Sequence, residues 1–193
     1  MKLLIVTAWW PTKSGCFQQY SAATSELLQH LAREGIESQL FITTHYHESK
    51  FGSIVGALTQ GQQWAIEKGF THLLILEADK VLPPLSLKSL IASNATVILA
   101  GRGGGSGKSR YDVRTQDIGY GWGCTLIATE LLKQYPLDSG AIRDHYTPDR
   151  AWFKRLMLDG VPILIDHEAP VETLEPAATA PQRAFKPKEN IHV

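Results

Sequence analysis

The segment Thr71-His72-Leu73-Leu74-Ile75-Leu76-Glu77-Ala78-Asp79 constrains this chain more than any other. Leu73 to Leu76 are continuously apolar. That pattern suits a strand covered on both faces, as in a parallel sheet between layers of helix. Two carboxylates follow, one residue apart, where the strand leaves the sheet. Period-2 alternation sets Glu77 and Asp79 on the same side of the chain. Open α/β sheets bind ligands at the carboxyl ends of their strands. Two close carboxylates there suit a divalent cation, which also accepts phosphate oxygens from a substrate. An isolated acid-x-acid pair is more often a solvated turn; the order of elements around this one gives it functional weight.

Apolar residues 3–8 read as a first buried strand, and Pro11 to Gly15 as a turn. Phe17, Tyr20, Thr24, Leu27, Leu28 and Leu31 recur at helical spacing across 17–33, and Gly35 closes that helix. Leu40-Phe41-Ile42 is a second strand, left through the polar loop Thr43-Thr44-His45-Tyr46-His47. A second helix spans 53–68 and ends at Gly69. After the central strand, Pro83-Pro84 starts a short helix reaching Ile91, and Ala95 to Leu99 is another buried strand. Strand and helix thus alternate through the first hundred residues, which implies an α/β fold with a mainly parallel central sheet flanked by helices. Gly101 to Gly119 breaks the pattern, and so long a loop in a small domain is functional or mobile as a rule. Gly121-Trp122-Gly123-Cys124-Thr125-Leu126-Ile127-Ala128 leads into a short helix at 130–134. Pro148 to Asp159 is amphipathic, with Trp152, Phe153, Leu156 and Met157 on one face and Pro148 in its first turn. Residues 161–165 form a final strand. Residues 1–175 read as a single domain and 176–193 as a flexible tail.

Composition narrows the function. With 193 residues the chain has room for a substantial core. Nineteen basic and nineteen acidic residues cancel, which argues against a general nucleic-acid binder. Cys16 and Cys124 show neither zinc-site nor disulfide spacing, and a reducing cytoplasm suits them. The amino-terminal apolar run is short and meets Trp9-Trp10-Pro11 without a small-residue cleavage site, so it reads as a strand rather than a signal peptide. No segment has the ~20 apolar residues of a membrane span.

The glycine-rich stretch contains a decoy. Gly101-Arg102-Gly103-Gly104-Gly105-Ser106-Gly107-Lys108-Ser109 follows a strand and ends like a phosphate-binding loop. The motif requires G-x-x-x-x-G-K-[ST], yet the residue five before Gly107 is Arg102. A helix must also follow, and Arg110 to Arg114 carries no helical stripe. A linker or a mobile lid bearing Arg102, Lys108 and Arg110 fits better.

The whole order, from the first strand through the acid-x-acid pair, the Gly-Trp-Gly-Cys segment, an acid-bearing helix and a last strand, resembles the GT-A fold glycosyltransferases. The likeness is greatest to the family-2-like enzymes of bacteria and phages, and it covers residues 2–175. Residues 69–79 look like the strand leading to that family's D-x-D motif. Residues 121–127 are similar to its glycine-aromatic segment on the acceptor side. Pro148-Asp149 with Trp152-Phe153 looks like its E-D-x-x-[FL] helix. The resemblance implies a nucleotide-diphospho-sugar donor, a saccharide or other hydroxyl acceptor, and Mn²⁺ or Mg²⁺. It implies that Asp79 holds the metal, that Glu77 lies near the ribose or metal, and that Asp149 is the general base of an inverting transfer. Thr7 and Ala8 would lie near the nucleotide base, and Trp122 either stacks on a sugar or belongs to the core. In such a reaction a cation stabilises the departing diphosphate, a carboxylate takes the acceptor proton, and a closing loop excludes water.

Three positions depart from the family pattern. Glu77 replaces an aspartate, and Pro148 replaces the first acid of the E-D pair. Thr173, in Val171-Glu172-Thr173, stands where many members have a metal-binding histidine, with His167 or Glu172 as the available substitutes. Two further readings follow: a catalytically degenerate nucleotide- or sugar-binding protein, and a nucleotidyltransferase. The pairs Asp144-His145 and His45-Tyr46-His47 read as ordinary loop residues before they read as metal ligands, and Cys124 reads as a small buried apolar residue.

Overall fold

In the computed structural model the apolar run at 73–76 lies inside a seven-stranded sheet. The structure describes residues 1–9, 15–44, 50–101, 106–112, 121–138 and 147–174. His45, His47, Arg102, Asp144, His145 and the 176–193 tail lie outside the described residues.

The chain runs β1 (Lys2–Ala8), α1 (Phe17–Arg33), β2 (Glu37–Thr43), α2 (Lys50–Glu67), β3 (His72–Leu76), β4 (Lys80–Val81) and α3 (Pro84–Ala92). It continues through β5 (Val97–Gly101), β6 (Lys108–Arg110), β7 (Cys124–Ala128), α4 (Thr129–Gln134), α5 (Pro148–Leu158), β8 (Leu164–Pro170) and β9 (Glu172–Thr173). The large sheet has the order β2-β1-β3-β7-β5-β8-β6, and β4 pairs with β9 in a small second sheet. Strand pairs β1/β2, β1/β3 and β5/β8 are parallel.

Period-2 alternation sorts the strands into two cores. Leu4, Val6, Leu73, Ile75 and Ile127 face α2 and α5, meeting Val55, Leu58, Trp152, Phe153 and Leu156. Leu3, Ile5, Leu74, Leu76 and Leu126 face α1 and α3, meeting Tyr20, Leu27, Leu31, Leu87 and Leu90. Burying each such side chain contributes about 1.5–3 kcal/mol, and both faces of β3 gain it. No helix among the described residues is long and apolar enough to cross a membrane.

Several elements differ from the sequence reading. Cys124–Ala128 is a strand at the centre of the sheet, antiparallel to both β3 and β5. Its five residues are too few for periodicity to separate strand from helix entry. Because it runs backwards, Cys124 pairs with Leu76, so the preceding glycines arrive at the carboxyl end of β3. The last strand of the large sheet, β8, begins at Leu164 rather than Val161 and runs through Asp166. Asp166 is fully buried. Ser89 Oγ donates to its Oδ2 at 2.7 Å, the Glu168 N–H donates to its Oδ1 at 3.1 Å, and Lys108 Nζ lies 3.8 Å away. A carboxylate satisfied in this way can continue a strand through the interior. Lys108–Arg110, inside the glycine-rich stretch, is an exposed edge strand rather than the helix start a phosphate loop needs.

Candidate active site

The acid-x-acid turn begins where β3 ends. The Glu77 N–H donates to the Gly123 carbonyl at 3.0 Å, and the Lys80 N–H donates back to the Glu77 carbonyl at 2.9 Å. This turn leaves Glu77 exposed and Asp79 only 6% exposed. The Leu174 N–H donates to the Asp79 carbonyl at 2.7 Å, which ties the turn to the end of β9.

Gly121 and Gly123 are shaped by carboxylates. A Cβ on Gly121 would lie 2.1 Å from Asp149 Oδ2 and 3.2 Å from its Cγ. A Cβ on Gly123 would lie 3.4 Å from Glu77 Oε2. One short backbone segment therefore receives the helix acid at one glycine and the strand-end acid at the next. Asp149 reaches it from the first turn of α5, where the unpaired N–H groups and the helix dipole favour a negative charge. α5 is fixed in turn by Trp152 and Phe153, both fully buried, and by Trp152 Nε1–H donating to the Tyr135 carbonyl at 2.9 Å.

The charges register on their neighbours. Burial pushes the Cys124 thiol far above its ordinary range; the Glu77 charge adds to the rise and Lys80 opposes it. Cys124 is thus a buried, protonated thiol and no nucleophile. Burial likewise raises the Tyr111 hydroxyl, with Asp149 adding and Arg150 opposing. Tyr111 packs on Phe153 at 4.8 Å between ring centroids, so the Asp149 site borders a buried aromatic wall.

The remaining expected site residues are placed as follows. Thr7 is fully buried at the end of β1, and its hydroxyl is hydrogen-bonded to the Tyr20 hydroxyl of α1. Ala8 is half-buried beside it. Trp122 is 4% exposed and meets the Trp152 ring edge-on at 6.3 Å, so it belongs to the core side of its segment. His167 turns away to the sheet edge, where its Nε2 lies 2.8 Å from Ser109 Oγ of β6. Among the described residues no group of three His, Cys, Asp or Glu side chains is gathered for a metal, so Glu77, Asp79 and His167 are not brought together as one ligand set. Thr173, at the family's histidine position, does reach the turn, where its Oγ1 accepts a hydrogen bond from Lys80 Nζ at 3.0 Å. The sequence reading assigned Lys80 no role; only the β4/β9 pairing reveals where its ammonium sits.

Lys80, Leu99, Ala100, Gly121, Gly123 and Val171 line a small cleft between these groups. Two larger cavities lie elsewhere, one of about 250 Å³ between α1 and α3 and one of about 460 Å³ beside Lys2 and Phe70 at the opposite end of the sheet. Neither is lined by Glu77, Asp79 or Asp149 or by the glycines those acids approach, whereas the small cleft is lined by Gly121 and Gly123.

No protein-family profile matches the sequence, and no curated protein matches it. Solved structures do. A glycosyltransferase involved in glycosylation of the major capsid of PBCV-1 is similar over 93% of this chain and 95% of its own, at 15% identity and a TM-score of 0.55. Drosophila β1,4-galactosyltransferase 7, solved with manganese, UDP-Gal and xylobiose, is similar over 90% of this chain and 71% of its own, at 12% identity and a TM-score of 0.58. A 4-diphosphocytidyl-2C-methyl-D-erythritol synthase matches over 95% of each chain at 16% identity and a TM-score of 0.52. The fold is therefore of the GT-A type, a mixed α/β layer with a mostly parallel central sheet. The neighbours that share this fold are glycosyltransferases and a 4-diphosphocytidyl-2C-methyl-D-erythritol synthase, and at these identities the likeness is one of fold.

Proposed function

We propose that the chain is a glycosyltransferase that moves a sugar from a nucleotide-diphospho-sugar to a hydroxyl acceptor with inversion. The observation that carries this reading is the Gly121-Trp122-Gly123 segment, which holds the Asp149 carboxylate at one glycine and Glu77 at the next. Two residues of chain span at most about 7 Å, a distance one sugar and its leaving phosphate can bridge. Asp149 is the general base: its carboxylate takes the proton of the acceptor hydroxyl as that oxygen attacks the anomeric carbon. The turn at Glu77–Lys80 receives the diphosphate on the other side of the sugar. Ala8, at the carboxyl end of β1, lies beside the nucleotide base, while Thr7 supports it from within through Tyr20. Trp122 anchors its segment to Trp152 and fixes the two glycines.

Mn²⁺ or Mg²⁺ would complete the family pattern at Glu77, Asp79 and His167. The described side chains do not fit one. His167 is engaged with Ser109, and a lysine ammonium lies 3.5 Å from Asp79 Oδ1. A divalent ion prefers six or more oxygens and no neighbouring cation.

The test is an assay of nucleoside diphosphate release from UDP-, GDP-, CDP- and dTDP-sugars in the presence of mixed saccharide acceptors. One donor class should be consumed. Asp149→Asn should keep donor affinity and lose about 10²–10⁴-fold in turnover. Undiminished turnover by that variant removes Asp149 as base. Pyrophosphate release from a nucleoside triphosphate, without use of any sugar donor, replaces this reading with nucleotidyl transfer.

A further inference from the structure

The acid-x-acid turn carries its own cation. Lys80 Nζ lies 3.5 Å from Asp79 Oδ1 and donates to Thr173 Oγ1 at 3.0 Å. Its Cε would be 3.6 Å from a Cβ on Gly123, the same point that Glu77 Oε2 approaches to 3.4 Å. The ammonium is thus held between Asp79 and Thr173, and Lys80 lines the small cleft together with Gly121, which Asp149 approaches, and Gly123. The Lys80 side chain is 20% exposed, so it is largely desolvated yet reachable.

We infer that Lys80 is the positive charge that binds the donor diphosphate in this chain, in place of a divalent metal ion. The inference rests on the donor reading above. Three observations support it. The ammonium lies beside Asp79, so a metal ion on that carboxylate would meet an adjacent positive charge. Thr173 uses its hydroxyl on Lys80, at the position where the resemblance puts a metal-binding histidine. The β4/β9 pairing fixes the ammonium between two strands, as a preorganised charge must be. An ammonium has three N–H donors; one is given to Thr173, Asp79 Oδ1 lies 3.5 Å away as an ion-pair partner, and a remaining N–H serves a phosphate oxygen. As the bond from the anomeric carbon to the diphosphate oxygen breaks, its electron pair stays on that oxygen, and Lys80 faces the added negative charge. The new carbon–oxygen bond forms to the acceptor, whose proton passes to Asp149.

The experiment is calorimetric titration of the full chain with UDP, GDP, CDP, dTDP and the matching nucleosides, in EDTA and again with Mn²⁺. One diphosphate should bind in EDTA with an affinity that Mn²⁺ changes less than threefold. Lys80→Gln should weaken that diphosphate roughly ten- to a hundredfold and leave the nucleoside unchanged. Lys80→Arg should retain diphosphate binding in EDTA, and the unchanged nucleoside affinity of Lys80→Gln serves as the check that its fold is intact. Diphosphate binding that vanishes in EDTA and returns with Mn²⁺ overturns the inference and leaves the glycosyltransferase reading standing. Wild-type diphosphate affinity in Lys80→Gln also overturns the inference alone. Failure of the wild-type chain to bind any nucleotide in either condition overturns both.

Discussion

Replacing Gly121 by alanine adds one methyl group, and its effect can be worked out from the contacts at that position. The new carbon would sit 2.1 Å from Asp149 Oδ2 and 3.2 Å from Asp149 Cγ. An ordinary contact needs about 3.4 Å, so the oxygen must retreat by more than about 1 Å. Gly121 has no positive φ, so alanine meets no backbone penalty there. The oxygen is the far end of a side chain and can move by rotation, at a cost of about 0.5–1.5 kcal/mol. Stability should therefore fall by about 1 kcal/mol, which shifts the thermal midpoint by only a few degrees. Catalysis should suffer more, because a misplacement of about 1 Å costs on the order of 10²-fold. Gly123→Ala is the matched control. Its methyl would lie 3.4 Å from Glu77 Oε2 and 3.6 Å from Lys80 Cε, in ordinary contact, and turnover should stay within about threefold of wild type on the same geometric argument. The assay is nucleoside diphosphate release at saturating donor, with melting curves on both variants. A folded Gly121→Ala enzyme with wild-type turnover would refute the argument, since the position of the Asp149 carboxylate would then be irrelevant to the chemistry. Equal losses in both variants would refute it too, because the contacts predict a contrast.

Two further outcomes concern the scaffold. Trp152→Ala removes a fully buried indole that packs on Trp122 and Phe153 and donates to Tyr135, so urea denaturation should show a loss of about 3–5 kcal/mol; a loss below about 1 kcal/mol would mean α5 is not seated by this residue. His72 has its pKa lowered by burial and then by the charge of the chain's amino terminus. The unfolded chain therefore binds the proton first as pH falls. The stability His72 contributes is present above about pH 6.5 and is lost as pH drops from there toward the folded pKa. His72→Gln should flatten the stability profile in that window, and an unchanged slope would show that another group sets it.

Much of the scaffold was legible because it rests on local signals. The apolar run at 73–76 located β3, and the spacing of Tyr20, Thr24, Leu27 and Leu31 located α1 at its observed bounds. The acid pair and the Asp149 helix were legible for the same reason. The missed features depend on partners far along the chain. β7 looked like a lead into a helix because a five-residue apolar run carries no period of its own. β8 runs on past its expected end at Ile165 because Asp166, which breaks the apolar pattern, has its carboxylate satisfied by Ser89 and Lys108 from other elements. His167 read as a free ligand until β6 supplied Ser109, 58 residues earlier. Lys80 carried no sequence signal because its partner Thr173 lies 93 residues away. Gly121 and Gly123 were noted as a motif, but their reason, a carboxylate laid on each, is visible only in three dimensions.

The reversed central strand also has a kinetic consequence. β2, β1 and β3 form one block from neighbouring parts of the chain, while β5, β8 and β6 form a second. β7 alone joins them, and it is synthesised after β3 and β5 but before β8. Closing such distant pairings requires loop entropy to be lost before contacts compensate, which makes this seam a slow event in folding. The two glycines lie at the leading end of that strand, so neither acid has its backing until the seam closes. Early intermediates would hold a well-formed amino-terminal block and no formed cleft at Gly121 and Gly123. Recovery of activity on refolding should then track insertion of β7 rather than collapse of the first three strands.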